Sequence, residues 1–147
     1  MLGKLLRSFR SSHEAPLPQP DAQLALGALM VRVAKSDHSY KLPEIQRIDR
    51  LLARLFDLNP VEAAKMRATC EKLDARAPHT DTFAELIRAE LDHAHRLSAL
   101  EALCEVMLAD GLPHVEEIEE IHETRVMLGL DEADLHEALT RARDMTG

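Results

Sequence analysis

"MLADGLPHVEEIEEIHE", residues 107–123, joins an apolar stretch to an acid-rich one through Asp110, Gly111 and Pro113. Gly111 can take the positive φ that closes a helix, Pro113 suits the first turn of the next, and Glu116 and Glu117 complement the positive end of that helix's dipole. The same residues support a second reading. Hard divalent cations such as Ca²⁺ or Mg²⁺ take several oxygen ligands, and Asp110, Glu116 and Glu117 can supply some while loop carbonyls and water supply the rest. His114 adds a nitrogen, which admits a softer ion such as Zn²⁺. The spacing is neither a zinc signature nor the alternating acids of an EF-hand loop. From sequence, a helix-capping turn and a metal loop both remain open.

Sliding the chain by 73 residues brings a second copy of this pattern into line. "LMVRVAKSDHSYKLPEIQRI" (29–48) falls on "ALCEVMLADGLPHVEEIEEI" (102–121), matching Val33 to Val106, Asp37 to Asp110, Glu44 to Glu117, Ile45 to Ile118 and Ile48 to Ile121. After a one-residue deletion, "FDLN" meets "LGLD". Repeats of this kind pack about a pseudo-twofold axis, which would bring the two acidic loops into neighbouring positions and make Asp37 and Glu44 a second candidate set.

Outward from these copies, cap signals divide the chain into helices, and no alternating strand pattern interrupts them. Asp21 can cap a first helix that ends near Ser36 and turns Leu26, Leu29, Met30 and Val33 inward. Pro43 lies in the first turn of a second, with Ile45, Ile48, Leu52 and Phe56 on one face. Asn59-Pro60 opens a third, which runs to about Ala77 before Pro78. A fourth starts near Thr80 or Asp81 with Phe83, Leu86, Ile87 and Leu91 inward, and Asp92 caps a fifth carrying Leu97, Leu100, Leu103, Cys104 and Met107. Pro113 opens a sixth with Ile118, Ile121 and Leu128 inward. Gly129 closes it, and Asp131 starts a seventh with Leu135 and Leu139.

The chain has 147 residues, enough for one domain with a substantial core. Its 46% hydrophobic content is too high for a disordered chain, while 3% aromatics leaves the core to aliphatic side chains. The formal charge of −8 argues against a phosphate-tracking surface, so no nucleic-acid partner is expected. Cys70 and Cys104 form no CxxC pair and read as reduced core thiols of a cytoplasmic protein. "LALGALMV" (24–31) stops at Arg32, short of the ~20 apolar residues of a membrane helix.

Residues 1–10 form an amphipathic segment, with Leu2, Leu5, Leu6 and Phe9 on one face and Lys4, Arg7 and Arg10 opposite. This segment suits a protein partner, a peripheral membrane contact or a homodimer. Residues 11–20 read as a Pro-rich linker, and 21–147 as the helical domain. His93 and His95, two apart on a helix, point in different directions and make poor joint ligands. The run "EEIEEIHE" reads mainly as a solvated face. No nucleophile elbow, phosphate-cradling glycine loop or Cys-His signature is present, so the expectation is no enzyme and no organic cofactor.

With "VMLADG" at 106–111, Glu117, the first copy "VAKSD" with Glu44, and "LFDLNPVEA" and "LGLDEADL" after them, the chain resembles the TerB family, named for tellurite resistance and similar to the N-terminal domain of DjlA-type co-chaperones. The resemblance covers roughly residues 21–140. It implies an all-α bundle of about seven helices in two related halves, a cytoplasmic bacterial protein of a tellurite or metal stress response, and acidic loops that bind a divalent cation, with no known reaction. One departure is visible: His38 stands where the family's Asp-Gly would place glycine, and Lys41 lies inside the same loop. Ca²⁺, Mg²⁺, Mn²⁺ and Zn²⁺ are the candidate ions, and a metal-independent docking module is the alternative function.

Overall fold

The computed structural model describes residues 17–18, 20–77, 79–109 and 111–146. Over these residues it is all helix: α1 (Ala22–Lys35), α2 (Leu42–Phe56), α3 (Pro60–Arg76), α4 (Asp81–Glu90), α5 (His93–Met107), α6 (Val115–Met127) and α7 (Glu132–Thr146). The amphipathic face of Leu2, Leu5, Leu6 and Phe9 lies outside the described residues, as does Asp110.

Capping chemistry sets the boundaries. Asp21 accepts a hydrogen bond from the Leu24 amide at 2.9 Å, and Asp92 does the same for His95. Asn59 and Glu62 exchange reciprocal bonds at the start of α3, and Asp131 and Asp134 do so at the start of α7. Left-handed residues close several helices: Asp57 (φ +54°) follows α2 and Gly129 (φ +73°) follows α6.

α1 and α5 carry the core. Every residue of α1 from Ala25 to Ala34 is buried except Arg32, and α5 is nearly as apolar all round, which is the pattern of a helix enclosed by others. α1 packs on α2, α3 and α4, α5 packs on α6 and α7, and the two central helices also touch each other. The pairings repeat: α2 reaches across to α5, and α6 reaches across to α1. Ala22 and Leu26 of α1 share one groove with His95 and Ala99 of α5, positions 73 apart in each case.

α1 contains one close approach that depends on a glycine. A Cβ at Gly27 would stand 2.4 Å from the Cys70 sulfur, so α1 meets α3 along a contact that admits no side chain there. Both cysteines are free and buried, as expected for core thiols.

Three sequence expectations need correction. Pro113 lies before the sixth helix rather than within its first turn, since His114 is the N-cap and Val115 the first helical residue. Ile118, expected inward, is 37% exposed, whereas its neighbour Glu117 is completely buried. The "EEIEEIHE" run is therefore not a uniformly solvated face. Glu44 repeats this behaviour at the start of α2, fully buried while Ile45 is only half-buried.

Candidate metal centre

The two inter-helix loops lie against each other, and three side chains converge there. Asp37 comes from the α1–α2 loop, His114 from the α5–α6 loop and Glu117 from the first turn of α6; one ligand atom from each lies within 4.8 Å of the other two. The closest pair is His114 Nε2 and Asp37 Oδ2 at 3.2 Å.

Local structure explains each placement. Asp37 Oδ1 accepts the Ser39 amide at 2.9 Å, an Asx-type turn that leaves Oδ2 aimed across at His114. Its carboxylate is only 4% exposed although the residue as a whole is half-buried, because the backbone faces solvent. Glu117 Oε1 accepts the backbone amide of His114 at 3.1 Å. This is the backward half of a capping box, and it bends the glutamate inward over the helix start, which accounts for its burial. The forward half is absent, since the corresponding bond is one that neither a histidine N-cap at 114 nor the lysine N-cap at 41 is set up to accept. Glu44 Oε1 accepts the Lys41 amide at 3.0 Å in the same way, 73 residues earlier.

The candidate residues thus separate. Asp37, His114 and Glu117 come together. Glu44 is a buried cap outside the cluster, and Glu116 is exposed on the solvent side of α6. Asp110 lies outside the described residues. The pairing of Asp37 with His114, rather than with Glu44 of its own loop, follows from the contact between loops. Only the pseudo-twofold expectation hinted at it.

The backbone of the loops matches as well. His38 (φ +63°) occupies the left-handed region, and Gly111, 73 residues later, has φ +105°. The departure at His38 therefore keeps the turn and places a side chain where glycine would be easier.

Other charged groups serve packing. Glu105, 1% exposed on α5, accepts a hydrogen bond from Arg54 Nη2 at 2.8 Å and has Arg47 Nη1 at 3.9 Å. Arg32 on α1 binds the Asp74 carboxylate at 2.8 Å and the carbonyls of Asp74 and Ala77, and lies over the Phe83 ring. It also donates to Thr80 Oγ1, which donates on to Glu120 at 2.6 Å. His93 and His95 are exposed and sit beside different aspartates, Asp134 and Asp92. Sequence reasoning missed the Arg32 network, whose signal was a lone arginine in an otherwise apolar helix.

No helix among the described residues is long and apolar enough to cross a membrane. No curated protein and no solved structure matches the chain. A family model described as tellurite resistance protein TerB matches residues 23–140, the span that contains all seven helices up to the middle of α7 and both loops of the cluster. The chain belongs to the TerB family.

Proposed function

We propose that this is a non-enzymatic TerB protein whose paired loops hold a divalent cation, acting in the cytoplasm in a tellurite or metal stress response. The observation that carries the reading is the convergence of Asp37, His114 and Glu117 from two separate loops. An imidazole with two carboxylates suits Zn²⁺ or Mn²⁺ better than Ca²⁺, which prefers an all-oxygen shell. Asp37 Oδ2, His114 Nε2 and a Glu117 oxygen would be the protein ligands, with water completing the shell. The second-sphere bonds already in place, Ser39 to Asp37 and the His114 amide to Glu117, would orient two of the three.

Thermal unfolding of chelator-stripped protein with Zn²⁺, Mn²⁺, Ca²⁺ or Mg²⁺ tests this. A ligand that binds only the folded state stabilises it by about 2.7 kcal/mol at a hundredfold excess over Kd. A saturable rise in Tm with Zn²⁺ or Mn²⁺ is expected, and Asp37→Asn with His114→Gln should remove it. These two residues are chosen because Glu117 also caps α6. No rise with any ion, or an equal rise in the variant, would leave the loops as capping turns.

A further inference from the structure

Tyr40 and Pro113 occupy the same place in the two loops, immediately before the N-caps Lys41 and His114. A side chain there packs back toward the fourth residue of the helix, here Ile45 in one half and Ile118 in the other. Tyr40 does this: it is half-buried against the core, with its phenol beside Glu71, Arg67 and Asp49. No hydrogen bond of good geometry holds its hydroxyl, so the ring's burial places it.

Seventy-three residues on from Asp49, and seventy-two on from Arg67 and Glu71, stand His122, Leu139 and Arg143. All three line an open groove of roughly 290 Å³ whose apolar wall includes Met107, Ile121 and Leu135. Pro113 lies at this groove but is too short to fill it as the tyrosine ring fills the corresponding region of the first half. The unfilled space is why Ile118 is 37% exposed, and Leu112 at the mouth is 88% exposed.

We propose that this groove receives a tyrosine side chain presented by a partner polypeptide. The first half of the chain shows what fits between these helices, and the second half leaves that position empty. An apolar cavity of about 150 Å³ is enough for benzene, so a phenol ring can enter. The rim decides between aromatic residues. Where Tyr40 meets the carboxylate of Glu71, an incoming ring meets the guanidinium of Arg143, a donor, and a phenol oxygen can accept from it whereas phenylalanine offers nothing. The groove shares no ligand residue with the Asp37–His114–Glu117 cluster, so this proposal stands apart from cation binding.

The test is a methyl-detected NMR titration of the full chain with N-acetyltyrosine methylamide and its phenylalanine and leucine counterparts. Saturable shifts at Met107, Ile118, Ile121 and Leu135 are expected, with tyrosine binding several-fold tighter than phenylalanine and leucine weakest. Pro113→Tyr should supply the ring from within and weaken binding at least tenfold, and Ile118→Phe should do the same by narrowing the groove. Absence of shifts at these methyls, or equal binding in both filled variants, overturns the proposal. Shifts that emerge only with Leu5→Ser/Phe9→Ser would show that the chain's own first residues occupy the groove, which overturns it equally.

Discussion

His38 and Gly111 stand 73 residues apart at matching points of two loops, and both hold a positive φ, +63° and +105°. A left-handed non-glycine residue costs roughly 1–2 kcal/mol, part of which glycine gives back through its freer unfolded chain. His38→Gly should therefore raise stability by about 0.5–1 kcal/mol in urea unfolding. Gly111→Ala should lower it by about 1 kcal/mol, and this cost is purely conformational because nothing lies within 4 Å of the added methyl. If Gly111→Ala proves neutral, the assignment of strain to the turn is wrong.

The Gly27–Cys70 contact sets a second expectation. An added methyl at Gly27 would overlap the Cys70 sulfur, buried where neither helix can yield freely. Gly27→Ala should cost about 1–3 kcal/mol, the range for overpacking. Adding Cys70→Ala should recover part of that loss, and a double-mutant cycle with no coupling would contradict the contact.

Glu105 is a buried carboxylate held by Arg54 and Arg47. Arg47→Met with Arg54→Met would strand it, at a cost of about 3–5 kcal/mol. Replacing Glu105 by Met in the same background should restore most of the stability, since an apolar trio needs no counter-charge. Chemical denaturation of the three variants separates a needed ion pair from simple loss of arginine packing.

Burial pushes the thiols of Cys70 and Cys104 up to about 12, with Glu71 and Glu101 respectively adding to the effect. Folded protein should resist iodoacetamide at pH 8 at both positions, and urea should expose them together. The linkage has a definite sign. Each folded value lies above the unfolded one of about 8.5, so the stability gained by keeping the thiols neutral is complete below about pH 8.5 and is lost as pH rises toward 12. Cys70→Ala/Cys104→Ala should flatten that alkaline decline in a plot of Tm against pH.

The helices were legible because their punctuation is chemical: Asp21, Asn59, Asp92 and Asp131 cap where their side chains predict, and Gly129 closes α6. Glu44 and Glu117 were harder to read. A glutamate in the first turn ordinarily stays solvated, and only the loop packed above turns these two inward, a tertiary effect that displaces the apolar stripe and leaves Ile118 toward solvent. Of the candidate ligands, His114 and Glu117 were readable from one loop. Their partnership with Asp37 depends on how two distant segments meet, which no local spacing encodes.

The charged pairs that cross between the two halves carry opposite polarity. Arg32 lies 73 residues before Glu105, and Arg47 lies 73 residues before Glu120. Glu105 meets Arg47 directly, while Arg32 meets Glu120 through Thr80. Were two copies of the first half to associate with each other in the same way, Arg32 would face Arg47; two copies of the second half would set Glu105 against Glu120. Each half is thus electrostatically fitted to the other and repelled by its own kind. A nascent chain emerging beside its neighbours on a polysome carries in these four residues a bias toward folding onto itself instead of exchanging halves with another molecule.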